Sequence, residues 1–238
     1  MSVHRVFHPA PLPDPGKTVV IEGDEARHAA VKRAEPGEAV ELLDGSGGTA
    51  SGRVLTCDGG KQASLSIAID SVTRRDPVHP ALHVWSATPK RDRADQLIDQ
   101  LSQIGAASWS PLATRRGVVD PRDTKLERLQ RVAVESMKQC GRTHLLQIKP
   151  SRTLDDLLRW LGHGSGRAAY CADATGVSPT RTPADELVLL IGPEGGWEPD
   201  ELELLRAAGV QTVRLGPHVL RIETAAAVGA CTLLSVFS

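Results

Sequence analysis

Leu187-Val188-Leu189-Leu190-Ile191 runs straight into Gly192-Pro193-Glu194-Gly195-Gly196-Trp197-Glu198-Pro199-Asp200-Glu201. The apolar run has the length of a buried strand. The glycines then turn the chain, and Pro199, Asp200 and Glu201 suit the first turn of a helix, where the dipole favours acids. A second loop, Leu215-Gly216-Pro217-His218-Val219-Leu220-Arg221-Ile222-Glu223-Thr224, follows another short apolar segment and leads into a last apolar helix. Two strand-to-helix loops of this kind predict one ligand pocket at the strand ends of an open α/β sheet.

Working outward, the segments before this stretch alternate between the two periods. Strands are predicted at Leu82–Ala87, Ser108–Ala113, Leu145–Ile148, Ala168–Ala172, Leu187–Ile191 and Thr212–Leu215. Helices are predicted at Asp92–Ile104, Lys125–Cys140, Leu154–Leu161, Asp200–Ala208 and Thr224–Phe237. Such alternation implies a parallel sheet covered on both faces. Upstream of Arg75 the texture is different. Short runs at Val19–Ile21, Ala39–Leu43, Gly52–Thr56 and Ala63–Val72 are punctuated by Asp44-Gly45-Ser46-Gly47-Gly48 and Asp58-Gly59-Gly60, and one short helix is predicted at Asp24–Arg33. A small β-barrel at residues 1–75 and an α/β domain at 76–238 are expected, joined through Arg74-Arg75-Asp76-Pro77.

The 238 residues carry a net charge of −1, unevenly spread: −2 over residues 1–76, +5 over 77–150 and −4 over 151–238. A basic middle serves a nucleic acid or is simply a solvated helical face, and charge alone favours the second. Lys125, Arg128, Arg131 and Lys138 are expected on the outer face of their helix. Cys57, Cys140, Cys171 and Cys231 form no CxxC pair, which argues against a zinc site or disulfide framework and fits a reducing cytoplasm. His8, His28 and His218 have no metal-ligand spacing. No apolar run approaches a membrane span, and no signal core opens the chain.

Glycine lets a backbone approach a ligand closely, so Gly192–Gly196 suits a nucleotide-like ligand held by main-chain groups. No Gly-Lys-Ser/Thr follows, and GxGxxG is absent, so neither a P-loop nor a dinucleotide fingerprint is present. The plain alternative is that these glycines only turn a strand into a helix. Arg221 and Glu223 lie among apolar residues as a structural ion pair or as functional groups.

The two loops, Ile191-Gly192-Pro193-Glu194-Gly195-Gly196 and Leu215-Gly216-Pro217-His218-Val219-Leu220-Arg221-Ile222-Glu223-Thr224-Ala225, resemble the signature of the ribosomal RNA small-subunit methyltransferase E family, within the SPOUT superfamily. Arg5-Val6-Phe7-His8, His28-Ala29-Ala30-Val31-Lys32-Arg33 and Asp44-Gly45 resemble its N-terminal PUA-like domain. Gln139-Cys140-Gly141-Arg142 and Ile148-Lys149-Pro150 resemble its middle motifs. The sequence departs from the family pattern at Gln103 and Arg115, where Glu is usual. The resemblance implies a PUA-like barrel followed by a trefoil-knotted SPOUT domain, acting as a homodimer. It also implies S-adenosylmethionine-dependent methylation at N3 of a uridine in 16S rRNA or the small ribosomal subunit.

Carried over residue by residue, the cofactor would lie against Tyr170, Cys171, Ala172, Ile191, Gly192, Pro193, Glu194, Gly195, Gly196, Leu215, Gly216, Leu220, Ile222, Thr224 and Ala225. Arg221, Glu223 and Glu194 would serve the chemistry. Arg5, His8, His28, Arg33, Lys90, Arg116 and Arg142 would contact RNA. No metal is implied. A ribose 2′-O methyltransferase of the same superfamily, or an RNA-binding module without turnover, stays open from sequence. The absence of GxGxxG disfavours a nicotinamide-dependent oxidoreductase.

Overall fold

The computed structural model describes residues 3–60, 62–90, 92–162 and 166–237. In chain order the first elements are β1 (His4–Phe7), β2 (Thr18–Glu22), α1 (Asp24–Val31), β3 (Ala39–Leu43), β4 (Gly48–Asp58) and β5 (Ser64–Arg74). Then come β6 (Ala81–Ser86), α2 (Arg93–Ile104), β7 (Ser108–Pro111), α3 (Leu126–Cys140), β8 (Gln147–Ile148) and α4 (Leu154–Gly162). The last are β9 (Arg167–Val177), β10 (Glu186–Ile191), α5 (Pro199–Ala207), β11 (Gln211–Val213) and α6 (Ile222–Phe237). The chain divides into two compact units. One combines Met1–Pro77 with Met137–Leu145, and the other combines Val78–Ser136 with Leu146–Ser238.

The first unit is a five-stranded sheet, β1-β3-β4-β5-β2, in which β1 runs parallel to β3 and the other pairs are antiparallel. Along β5, Leu65, Ile67 and Ile69 point inward at period two. The β4–β5 ladder shifts register at Ser51/Gly52 and between Val54 and Thr56, and such irregularities bend a strand pair. All five strands and α1 share one core, including Val6, Ile21, Ala26, Val40, Val54 and Ile67. The expected barrel is incomplete: among the described residues no ladder joins β1 to β2. The expected linker also starts too early. Arg74 ends β5, and the Arg75 N–H donates to the Gly47 carbonyl at 3.0 Å, so both belong to the sheet.

The segment Met137–Leu145 is stitched into this unit. The Leu145 N–H donates to the Gly45 carbonyl at 2.9 Å. Lys138, expected to point outward, is 7% exposed and pairs with Glu25 at 2.8 Å. Arg5 pairs with Glu41 at 2.9 Å and donates to the carbonyls of Lys138 and Gln139 at 3.0 and 3.1 Å. It thereby satisfies orphan carbonyls at the end of α3.

The second unit is a six-stranded sheet, β11-β9-β10-β6-β7-β8, with every pair parallel. Its centre is β10, where Leu187, Val188, Leu189 and Leu190 have no exposed surface. Each such side chain contributes about 1.5–3 kcal/mol relative to exposure. Val188 and Leu190 face a cluster with Leu157 of α4 and Leu205 of α5. On the other face α6 packs against α2 and lies over β6 and β10. A Cβ at Gly229 of α6 would stand 2.9 Å from Leu189, so a small residue is needed where α6 crosses β10. No described helix is long and apolar enough to cross a membrane.

Candidate active site

Strands β6 and β10 are neighbours at the centre of the sheet, but their onward connections diverge. From β6 the chain passes through α2 to β7 on one side; from β10 it passes through α5 to β11 beyond β9 on the other. Ligand crevices form at the carboxyl ends of strands at such a switch point. The loops after β6 and β10 emerge there, and the loop after the edge strand β11 leads back to it, because Glu223 at the start of α6 lies 3.9 Å from Arg93.

The loop after β10 is built for its backbone. The Gly196 N–H donates to the Pro193 carbonyl at 2.9 Å, closing a turn. Gly196 has φ of 73°, which explains its glycine; a Cβ there would meet nothing within 4 Å. Gly192 has the opposite constraint, because its Cβ would stand 2.7 Å from Nε1 of Trp197. Trp197 is buried, and its indole N–H donates to the Ala172 carbonyl at 3.3 Å, linking the turn to β9. The Glu198 N–H donates to Glu201 at 2.9 Å where α5 begins behind Pro199.

In the second loop, Gly216 also opens onto free space, and its backbone has no positive φ. Leu215 and Leu220 are half-buried, Thr224 is exposed, and Ile222 and Ala225 are buried in the first turns of α6. Arg221 is exposed, although its neighbours Leu220 and Ile222 are half-buried and buried. Its side chain has no hydrogen bond or ion pair among the described residues, and the expected Arg221–Glu223 pair does not form. Glu223, only 4% exposed at its side chain, instead lies 3.9 Å from Arg93, which also binds Glu194 at 2.8 Å. A narrow cleft beside them is lined by Thr88, Lys90, Val118, Pro193, Glu194 and Ile222.

Of the three β9 residues expected at the cofactor, only Ala172 reaches the carboxyl edge, level with Ile191. Tyr170 is a buried core residue whose hydroxyl donates to the Thr180 carbonyl at 3.0 Å. Cys171 is buried among apolar side chains, and burial pushes its thiol far up.

The residues expected at RNA differ in their settings. Arg116 forks onto Glu198 at 2.8 and 3.0 Å and donates to the Gly195 carbonyl at 2.9 Å, so it braces the β10 loop. Its neighbour Arg115 donates its N–H to Glu201 at 3.1 Å and pairs with Asp200. Arg128, read as outward and available, forks onto Asp95 at 3.0 and 2.6 Å. Arg5 caps α3. Arg142 is half-buried, and that burial pulls its guanidinium below the ordinary arginine value. His8 and His28 are half-buried, and Lys90 and Arg33 are exposed. Arg33 has φ of 56°, a left-handed conformation uncommon outside glycine, just beyond the end of α1. Sequence reasoning missed Arg93. Its partners lie 101 and 130 residues away, so no local spacing marks it.

Comparison with known proteins defines the class first. An RNA methyltransferase domain model matches residues 76–235, and an RNA methyltransferase PUA domain model matches residues 21–67. The ribosomal RNA small subunit methyltransferase E of Mycobacterium bovis is 34% identical over 95% of this chain and 89% of its own length. Its namesake from Synechocystis is 29% identical over 82% of this chain and 65% of the relative. Among solved structures, a ribosomal RNA small subunit methyltransferase E from Neisseria gonorrhoeae, bound to S-adenosyl methionine, superposes with a TM-score of 0.87. It is 25% identical and covers 99% of this chain and 98% of that one. The chain belongs to the ribosomal RNA small subunit methyltransferase E family. Its second unit has the SPOUT methyltransferase fold, and a PUA domain precedes it.

Proposed function

We propose that this protein methylates N3 of a uridine in 16S rRNA, using S-adenosylmethionine and working as a homodimer in the cytoplasm. The observation that carries the reading is the pair of backbone loops at the switch point of a chain related to these methyltransferases over both units. Gly196 and Gly216 both face open space, so main-chain groups are available to a ligand there. The residues fit a nucleoside-bearing cofactor: main chain from Gly192–Gly196 and Leu215–Ile222 would hold adenine and ribose, with Leu220, Ile222 and Ala225 as apolar walls. When bound, S-adenosylmethionine supplies an electrophilic methyl group.

The chain's own groups do the rest. N3 of neutral uridine carries a proton, which must be taken up, and the charge that develops on the base must be stabilised. Glu194 and Glu223 are the carboxylates at hand for the proton. Arg221 is free to meet the uracil or its phosphate. Exposed Lys90 and Arg33 would contact the RNA backbone, which positions without reading sequence. The target uridine must be unpaired or flipped out. For the dimer, the face of α6 bearing Thr224, Cys231 and Ser235 is exposed and built of small side chains. The reading also includes the trefoil knot, with the C-terminal segment threaded through a preceding loop.

The test is to incubate the purified protein and methyl-labelled S-adenosylmethionine with small subunits from cells lacking the activity. The rRNA is then digested and its nucleosides identified. Labelled 3-methyluridine is expected. A 2′-O-methyl nucleoside, or cofactor binding without transfer, overturns the assignment.

A further inference from the structure

Three stretches that meet at the switch point are joined by one cation. Arg93 is the first residue of α2, Glu194 lies in the turn after β10, and Glu223 lies in the first turn of α6. A single guanidinium nitrogen, Nη1, stands 2.8 Å from Glu194 and 3.9 Å from Glu223. The two carboxylates differ in setting. Glu194 is 40% exposed at its side chain and Glu223 only 4%. Oε2 of Glu223 is buried without a hydrogen-bond partner among the described residues. A buried carboxylate oxygen lacking a donor is costly, and Arg93 is the one cation within 4 Å among the described residues.

We propose that Arg93 is a positioning residue that clasps the turn after β10 to the start of α6. It thereby sets the width of the cradle between the two loops and fixes where the Glu223 carboxylate points. This inference rests on the cofactor reading above. An ion pair as exposed as Arg93–Glu194 adds little to stability by itself, so its weight falls on the separation of the loops. Because one nitrogen faces both carboxylates, the forked geometry peculiar to arginine is not used. A lysine ammonium can therefore stand in, unlike at sites where the fork matters.

The experiment is calorimetric titration of S-adenosylmethionine into the full chain and into Arg93→Ala, Arg93→Lys, Glu194→Gln and the double variant Arg93→Ala/Glu194→Gln, with melting temperatures alongside. Arg93→Ala and Glu194→Gln should each weaken binding about tenfold, and the double variant should bind no worse than Arg93→Ala, as expected when both changes remove one coupled pair. Arg93→Lys should stay within about threefold of the parent. Parental affinity in Arg93→Ala, additive losses in the double variant, or no rescue by lysine overturns the clasp while leaving the cofactor reading intact. A parent chain that binds no cofactor overturns both. Should Arg93→Ala fail to fold, the Glu194→Gln and Arg93→Lys arms decide: parental affinity in the first or full loss in the second overturns the clasp.

Discussion

Arg221 and Lys138 show how differently two basic residues of one sequence are used. Arg221 is exposed and touches no partner among the described residues, so Arg221→Lys should change stability by no more than about 0.5 kcal/mol. Turnover should fall while cofactor affinity holds, because only the forked donor is lost. Unchanged turnover removes it from the chemistry. Lys138 sits at the other extreme. Breaking a buried pair from one side costs about 3–5 kcal/mol. The lower end applies to Lys138→Ala, because Glu25 keeps the Phe7 N–H at 3.0 Å; urea unfolding measures it. The glycines of the two loops also separate. Gly192→Ala must displace the Trp197 indole and should cost about 1–3 kcal/mol. Gly216→Ala adds a Cβ that meets nothing within 4 Å on a backbone without positive φ, so it should melt like the parent yet weaken S-adenosylmethionine binding. A melting temperature near the parent's with normal affinity would remove Gly216 from the cradle. The glycines were legible in the sequence; which of them serves the fold and which the ligand depends on Trp197 and on φ.

Elements were legible where one period dominates. Strand β10 stood out because it is buried on both faces, and α2 because Ala94, Leu97, Ile98 and Leu101 share one face. The expected Gly52–Thr56 and Ala63–Val72 stop short of β4 and β5: Gly48–Ser51 alternate in burial but are too small to show an apolar period, Thr73 and Arg74 are exposed, and the register shifts break the period. At the amino end of the parallel sheet, burial holds the His83 imidazole below its ordinary value, with Glu186 pulling the other way. A folded-state value below the unfolded one means the unfolded chain takes up the proton first as the pH falls. Stability from this group is complete above about 6.5 and is lost as the pH drops below it. His144, also lowered by burial, adds to the same loss. His83→Gln should flatten the acid-side decline in urea midpoint, and an unchanged slope would acquit His83. On α6, Cys231 is exposed while Cys171 is buried. A thiol reagent should label Cys140 and Cys231 and spare Cys171. If the dimer forms through this face of α6, raising the protein concentration should slow labelling at Cys231 and not at Cys140.

At the scale of the whole chain, the basic middle finds an internal use. Arg93, Arg115 and Arg116 are matched by Glu194, Asp200 and Glu198 from the acidic last third. The charge asymmetry therefore reflects, in part, contact between distant parts of one fold. A sequence lists charges without their partners, and pairs 82 to 101 residues apart leave no local trace. The paired loops could be recognised because glycine and proline stand at particular places in them, where the backbone turns between a strand and a helix. Light scattering should give twice the chain mass, and a monomer at working concentration would count against the dimer.

The inclusion of Met137–Leu145 in the first unit bears on how the protein is born. Glu25 emerges from the ribosome 113 residues before the lysine that pairs with it. At about 5–20 residues per second, that gap lasts roughly 6–23 seconds. Throughout it Glu25 lacks its cation, and Arg5 lacks the helix end it will cap. The amino-terminal unit therefore completes itself only once Leu145 has been made, and a cut after Pro77 would leave it without Met137–Leu145.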